Sequence, residues 1–232
     1  MNEWLVRVAR SPFASELVLR GSLVTAHHCP TRIAFDVDHL AVSDRRFDEA
    51  KMRARVEAIA APLPVRSEVI WAETAFPGLR SWVRSGQTEI QIDIGFGDPL
   101  VIPPEPLTIG DATLLAVRPE TMFAWKVHGL FEFGRGNWRP KDLLDLFLYL
   151  EHVRLADDDL VASIRVAFES RSTPLELAAA FVDPTWGRSR GSQRKWKWLA
   201  RQAIVRDPLF DLEAVLTRVK ERLLPLLARL GI

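Results

Sequence analysis

Residues 16–38 have the sequence ELVLRGSLVTAHHCPTRIAFDVD, and this stretch decides the fold that we expect the chain to adopt. Residues 16–20 form a short β-type run that ends at the pair Gly21 and Ser22. Residues 35–38 alternate apolar and acidic side chains with a period of two, as a half-buried strand does. The stretch therefore predicts a strand, a tight turn, and a second strand that carries two carboxylates.

The rest of the first half continues the alternation of strands and helices. Residues 46–60 space their apolar side chains as an amphipathic helix does. Residues 89–94 alternate strictly, with isoleucine at 90, 92 and 94 and polar side chains at 89, 91 and 93. Prolines at 99, 103, 104 and 106 then predict a loop.

From Pro119 onward the pattern becomes helical. Pro119 followed by Glu120 is a favourable helix start, because proline suits the first helical position and an acid suits the first turn. The predicted helices cover residues 119–133, 141–153, 158–168, 174–181, 195–205 and 211–230. The change near residue 118 predicts a mixed α/β domain over 1–118 and a helical domain over 119–232.

Composition narrows the class of protein. The chain has 232 residues, of which 48% are hydrophobic and 26% charged, which is typical of a globular protein. Cys29 is the only cysteine, which excludes an internal disulfide and a zinc site built from cysteines. No apolar run approaches the ~18 residues of a membrane span. We expect a soluble cytoplasmic protein with no membrane partner.

The charge is unevenly distributed along the chain. Residues 183–232 contain 11 basic and 5 acidic side chains, so they carry +6, and the total of +1 leaves −5 for residues 1–182. A basic segment beside an acidic body favours a nucleic-acid contact, here weakly predicted for Arg188, Arg190, Arg194, Lys195 and Lys197. The other interpretation is a solvated helix face whose tryptophans, Trp196 and Trp198, pack in the core.

The acidic pair Asp36 and Asp38 is the first candidate site. Residues two apart on a strand share a face, so these carboxylates lie about 7 Å apart and repel unless a cation lies between them. Mg²⁺ is the natural candidate, because it takes one or two carboxylates together with phosphate oxygens and water. If the strand that carries Asp93 neighbours this one, Asp93 adds the third carboxylate of a two-metal site. The alternative is that these are ordinary solvent-facing strand acids.

The helical half supplies the second candidate set. Lys126 follows an apolar run and either extends its ammonium to water or places it on a phosphate. Asp142 and Asp145 are three apart and share a helix face. The helix dipole explains an acid at Asp142, whereas Asp145 lies among apolar residues and should have a partner. The sequence contains no Walker A, Rossmann, G-x-S-x-G or H-E-x-x-H motif.

These motifs, in this order, resemble the nucleotidyltransferase family that includes the AbiEii/AbiGii toxins of abortive-infection and toxin–antitoxin systems. The most specific part is the helix with P-E-x-x-x-x-x-K, followed by the helix with K-D-x-x-D-L. The matching stretches are residues 16–23, 32–38, 90–95, 117–130 and 139–150.

The resemblance implies an α+β fold, with a polymerase-β-like nucleotidyltransferase core of mixed sheet and flanking helices, and a helical C-terminal domain that completes the active-site cleft. It implies that Asp36, Asp38 and Asp93 bind Mg²⁺ as a two-ion site. It implies nucleotide-binding roles for Gly21, Ser22, Arg32, Lys126 and Asp142. Asp36, Asp38, Asp93 and Asp145 would be the catalytic residues, with Asp93 favoured over Asp145 to activate the acceptor hydroxyl.

The resemblance also implies the activity. An NMP would pass from an NTP to an acceptor hydroxyl, with RNA (the 3′ end of tRNA) as the expected acceptor and a cognate antitoxin as the expected partner. The chain departs from the family at Ala34, where a serine or threonine is usual, and has Gly21-Ser22 where Gly-Gly is frequent. Two alternatives stay open, which are a non-catalytic nucleotide- or partner-binding member and a small-molecule nucleotidyltransferase.

Overall fold

A computed structural model of the protein describes residues 1–42, 46–74, 76–134, 137–206 and 210–232. The chain divides into two compact units. The first comprises Met1–His27, Ala34–Asp98 and Pro103–Arg118, and the second comprises His28–Ile33, Pro99–Ile102 and Pro119–Ile232. The helical unit therefore includes two short segments from the first half of the sequence.

A mixed β-sheet forms the body of the first unit. Over the described residues it has seven strands, in the order β3-β4-β5-β2-β1-β7-β6. The strands are β1 Leu17–Arg20, β2 Val37–Ala41, β3 Val65–Ile70, β4 Gly78–Ser85, β5 Thr88–Phe96, β6 Glu105–Ile109 and β7 Ala112–Ala116. β1 pairs antiparallel with β2 and parallel with β7, and β2 pairs parallel with β5.

The side chains at the centre of the sheet are mainly apolar. Ile92 and Ile94 of β5 are fully buried and Ile90 is nearly so, which confirms the predicted alternation. Helices α1 Asn2–Arg10, α2 Gly21–His28 and α3 Glu49–Ala60 complete the unit. The Asp48 side chain caps α3 by accepting a hydrogen bond from the Lys51 amide. The predicted α+β fold with a mixed sheet and flanking helices is confirmed.

Several predictions for the first unit were wrong in detail. Gly21 begins helix α2 directly, where the sequence predicted a tight turn. Strand β2 begins at Val37, so Asp36 precedes it, and Phe35 is 64% exposed although the alternation placed it inward. The proline-rich segment contains the start of β6, which tolerates Pro106 because β6 is an edge strand.

The second unit consists mainly of helices. They are α4 Pro119–Gly129, α5 Pro140–His152, α6 Asp157–Glu169, α7 Arg190–Ala200 and α8 Leu212–Arg229, with a 3₁₀ segment at Leu175–Val182. The aromatic side chains of Phe131, Phe168, Phe181 and Trp186 contact one another in its core, with ring centroids 4.7–6.2 Å apart.

The helical predictions were right in number of segments and wrong at some ends. α4 ends four residues before the predicted end, and α7 begins five residues before the predicted start because Ser189 caps it through the Ser192 amide. The segment predicted as a helix over 174–181 is 3₁₀. In the part of the chain that the structure describes, no helix combines the length and the apolar character needed to cross a bilayer.

Candidate active site

The chain passes from β1 into α2 at Gly21, where the backbone packs closely against Asp38; we call this position the glycine joint. Gly21 has a φ of +75°, and a Cβ on this residue would lie 2.0 Å from Oδ2 of Asp38. Any other residue would therefore suffer both backbone strain and a collision with a carboxylate. The glycine brings the first turn of α2, whose backbone N–H groups have no acceptor within the helix, next to an acid that the sequence places 17 residues later.

Ser22 and Asp36 are joined in the same region. The Ser22 hydroxyl donates to Oδ1 of Asp36 at 2.8 Å. Both Asp36 and Asp38 are half-buried, and Val37 between them is fully buried. The structure thus brings four predicted residues together: Gly21, Ser22, Asp36 and Asp38.

The sheet register places the third predicted acid beside this group. Asp38 is the Cα partner of Asp93 across β2 and β5, and of Arg20 across β1 and β2. Asp93 is only 5% exposed, although the sequence predicted an ordinary polar-side position. Three polar side chains on neighbouring strands therefore lie in one row across the sheet.

Asp93 has a strong partner that the sequence analysis missed. Arg80 of β4 donates from Nε and Nη2 to the two oxygens of Asp93, at 2.8 and 2.7 Å. The hydrogen bonds to Asp93 are the main reason that the pKa of Arg80 is raised, and the charge of Asp36 adds to the effect. The β4–β5 register pairs Arg80 with Asp93, so correct alignment of this hairpin would have revealed the contact.

The helical unit contains a second cluster, which we call the buried ion cluster. Lys126 Nζ lies 3.0 Å from Asp142 Oδ1 and 3.0 Å from Asp145 Oδ2. Asp145 is completely buried and Asp142 is 3% exposed. Arg139, which the sequence analysis did not select, places Nε 2.9 Å from Asp142 Oδ2.

Arg32 belongs to this cluster and not to the row of acids on the sheet. Its Nε donates to Asp145 Oδ1 at 2.8 Å, and its Nη1 donates to the carbonyls of Ile33 and Ile204. Its side chain is only 5% exposed. A guanidinium with these three partners orders its own segment and neutralises Asp145.

Charge compensation keeps the buried ion cluster ionised. Burial opposes the charge on Lys126, but the carboxylates of Asp142 and Asp145 outweigh it and hold the pKa of Lys126 above its usual range. Burial likewise disfavours ionised Asp145, and Lys126 and Arg32 outweigh that effect and lower its pKa. Arg139 also pairs with Glu132 at 2.9 Å, so three cations face three carboxylates and the charges of the cluster balance.

The residues of the basic segment divide into two groups. Arg188 is paired with Glu213, and Lys195 packs over the Trp138 ring with Nζ 5.8 Å from its centroid. Arg190, Arg194 and Lys197 are exposed on α7. Trp196 is buried and donates to the Phe210 carbonyl, whereas Trp198 is 57% exposed. Trp196 thus packs in the core as one interpretation predicted and Trp198 does not, and the nucleic-acid contact stays a prediction.

A divalent metal fits part of the predicted donor set. Asp36 and Asp38 offer hard oxygen ligands beside a helix start that a Cβ at Gly21 would fill. Among the described residues, no group of three histidine, cysteine or acidic side chains is arranged to hold a metal ion. Both oxygens of Asp93 accept from Arg80, so the arrangement suits two protein carboxylates completed by phosphate oxygens.

One solved structure supports the fold. The JHP933 protein from Helicobacter pylori superposes with a TM-score of 0.54 at 14% identity, over 100% of this chain and 90% of that one. A second Helicobacter pylori protein, provisionally described as a nucleotidyltransferase, gives 0.49 at 15% identity, over 100% and 93% of the two chains. A search of functionally curated proteins gives no significant match.

The sequence itself matches a family over most of its length. The sequence model described as "Nucleotidyl transferase AbiEii toxin, Type IV TA system" matches residues 4–218. The match includes the glycine joint, all the predicted carboxylates, Lys126 and helix α7. The chain therefore belongs to the AbiEii family of nucleotidyl transferase toxins from type IV toxin–antitoxin systems.

Proposed function

We propose that the protein transfers an NMP from an NTP to a hydroxyl group of an RNA acceptor, namely the 3′ end of a tRNA. The acceptor oxygen attacks the α-phosphorus, the bond from that phosphorus to the bridging oxygen breaks, and pyrophosphate leaves. The observation that carries the proposal is the close approach of Gly21 to Asp38, because it sets backbone donors and carboxylates side by side.

The glycine joint binds the triphosphate in this proposal. The N-terminus of α2 presents free N–H groups and the positive end of a helix dipole, both of which favour phosphate oxygens. The Ser22 hydroxyl, which donates to Asp36 here, is close enough to the joint to contact phosphate as well. Gly21 makes this approach feasible because it has no side chain.

Asp36 and Asp38 would hold Mg²⁺ in this proposal, and Asp93 would join them as the third ligand of a two-ion site only on releasing Arg80. The metal would supply a Lewis acid that neutralises charge on the phosphate oxygens. Asp93 is the favoured base for the acceptor proton, and it reaches that role only if an oxygen exchanges Arg80 for the new partner. Asp145 is the weaker candidate, because its lowered pKa makes it a poor proton acceptor.

The helical unit supplies positive charge for phosphate in this proposal. Lys126 has 16% of its side chain exposed, so it is less enclosed than Arg32, Asp142 and Asp145. Asp142, Asp145 and Arg32 hold Lys126 in position, so the predicted nucleotide-binding role of Arg32 and Asp142 is indirect.

The remaining expectations extend the family assignment. A cognate antitoxin is the proposed protein partner, and the cytoplasm, where NTP and tRNA are present, is the proposed location. Ala34 removes one hydroxyl from the usual motif, but Asp36 still receives a hydroxyl hydrogen bond from Ser22. This contact supports a catalytic protein over a silent binding module.

The test is a transfer assay. Purified protein is incubated with Mg²⁺, total tRNA and each labelled NTP in turn, beside the double variant Asp36→Asn/Asp38→Asn. We expect label in tRNA with one or more NTPs, and a loss of at least about 1,000-fold in the variant, since removal of even one charge-stabilising group costs about 100- to 1,000-fold. Glu57→Gln, an exposed change on α3, is the matched control and should retain full transfer.

Other outcomes would contradict parts of the proposal. Mg²⁺-dependent NTP binding without label in tRNA would contradict the RNA acceptor. Label in a small cationic molecule would then favour the small-molecule alternative. Equal transfer by the wild type and the double variant would exclude Asp36 and Asp38 from the active site.

A further inference from the structure

Helix α7 has one exposed face that its own fold does not use. Its inward positions are Ser192, Trp196 and Leu199, which are all buried at a spacing of four and three residues. The opposite positions are Arg190, Arg194, Lys197, Trp198 and Arg201, which we call the basic stripe; all of its members are exposed. The spacing puts these five residues on one side of the helix.

The basic stripe is not neutralised within the described part of the protein. Arg188 and Lys195, which flank it, are engaged with Glu213 and Trp138. No ion pair joins Arg190, Arg194, Lys197 or Arg201 to an acid of the described residues. By contrast, Arg218, Arg222 and Arg229 on α8 all pair with acids. Four cations along about 16 Å of α7 and its C-cap therefore form no ion pair with an acid in the described ranges.

Trp198 distinguishes the kind of anion that fits. An indole that is 57% exposed between cations offers a flat apolar surface, on which an unpaired base stacks well. A membrane surface fits poorly, because the apolar face of α7 is already buried in the unit and has no side chains to insert. Cations together with an exposed aromatic ring fit a single-stranded nucleic acid best.

We propose that the basic stripe binds a single-stranded segment of RNA, with Arg194, Lys197 and Arg201 on phosphates and Trp198 stacked on a base. This inference rests on the proposed function, because it assigns the surface that holds the RNA acceptor. Arg190 lies at the first turn of the helix and extends the same track. The contacts carry no base code, so binding is tolerant of sequence.

The test is fluorescence anisotropy with a labelled 12-nucleotide single-stranded RNA at several salt concentrations. For Arg194→Gln/Lys197→Gln we expect the slope of log Kd against log salt to fall by about 1.4, since each phosphate contact on a single strand contributes about 0.7. The matched control Arg154→Gln/Arg165→Gln removes the same charge from exposed positions on the same unit and should leave the slope unchanged.

Trp198→Ala tests the stacking separately. It should weaken binding by about 5- to 150-fold and leave the salt slope unchanged, because stacking contributes affinity without releasing counterions. All variants should keep the wild-type circular dichroism spectrum and Mg²⁺·NTP affinity, since no stripe residue has a place in the nucleotide site.

Three outcomes would overturn the inference. They are equal losses in the stripe and control variants, preference for duplex over single-stranded RNA, and displacement of the RNA by poly-glutamate at equal charge, which would indicate a protein partner. If the wild type binds no RNA but still transfers a nucleotide to another acceptor, the result would contradict the RNA-binding role of the basic stripe and not the transfer activity. Absence of Mg²⁺·NTP binding, with RNA still bound to the stripe, would contradict the proposed function and leave this inference standing.

Discussion

The two units differ in how deeply their acidic side chains are buried and in how those side chains are paired. In the first unit, Asp36 and Asp38 are half-buried and lie against a serine hydroxyl and a glycine backbone. In the second, Asp142 and Asp145 are almost completely buried and are neutralised by three cations. Half-buried carboxylates beside a helix start suit an incoming metal, whereas enclosed and neutralised ones suit the positioning of Lys126.

The largest effect on transfer is expected from a side chain that fills the space at the glycine joint. Gly21→Ala should lower transfer at least about 100-fold, since it displaces Asp38, and should cost about 2–5 kcal/mol of stability through backbone strain and overpacking. Gly86→Ala is the matched control, because Gly86 has a φ of +60° with nothing within 4 Å of its added Cβ. It should cost only about 1–2 kcal/mol and keep full transfer. Similar transfer by the two variants would contradict the account.

Removing one charge from the buried ion cluster should give the next largest effect. Asp145→Asn leaves Lys126 and Arg32 without their shared counter-charge and should destabilise the protein by about 3–5 kcal/mol. Thermal unfolding followed by circular dichroism would show a Tm lower by roughly 10 °C. Asp157→Asn, in an exposed ion pair of the same unit, should cost less than about 1 kcal/mol. A small loss at Asp145 would refute the view that the cluster is fully ionised.

The first unit also buries a titratable side chain, His39, but this residue is neutral, whereas the residues of the buried ion cluster are charged. Its ring is completely buried and Nε2 accepts from Trp4 Nε1 at 3.1 Å, and burial lowers its pKa from 6.5 to about 4. The stabilisation is therefore complete above pH 6.5 and is lost as the pH falls toward 4, to a total of roughly 3 kcal/mol. Denaturant titrations should show a shallower pH dependence for His39→Gln than for the wild type. The exposed His27→Gln should behave as the wild type, and a wild-type pH profile in His39→Gln would contradict this assignment.

The smallest expected effect concerns Arg80. Arg80→Lys loses one of two parallel hydrogen bonds to buried Asp93 and should cost about 1 kcal/mol. Arg84→Lys, on the same strand in an exposed pair with Glu89, should cost almost nothing. Equal free energies of unfolding for the two variants would indicate that the bidentate geometry is unimportant.

The sequence predicted features that depend on residues close together in the chain. Contacts between residues far apart in the chain became visible only in the structure. The alternation around Ile92, the Pro119 helix start and the spacing of Asp142 and Asp145 are local, and the elements that they predicted are present. The Arg80–Asp93 pair and the Arg32–Asp145 pair join residues 13 and 113 positions apart. Such contacts require the strand register or the helix packing, which periodicity does not contain.

Some ends of helices and strands were predicted wrongly for a similar reason. Gly21 looks like a turn residue because glycine allows a positive φ, and that same freedom lets the chain pass from β1 straight into α2. Strands β3 and β4 were not predicted, although β3 alternates exposed Arg66 and Glu68 with less exposed positions, while the burial along β4 is irregular. β3 pairs with β4 and β4 pairs with β5, and this pairing is not visible in the sequence of any one strand.

The most direct test of the central claim is whether the first-unit carboxylates bind a divalent metal together with NTP. Mn²⁺ binding can be measured by electron paramagnetic resonance in the presence of a non-hydrolysable NTP analogue, for the wild type and for Asp36→Asn/Asp38→Asn. We predict bound Mn²⁺ that depends on the nucleotide in the wild type and an affinity at least about 10-fold weaker in the variant, since each lost carboxylate removes a charged ligand. Equal Mn²⁺ affinity in the two proteins would contradict the account.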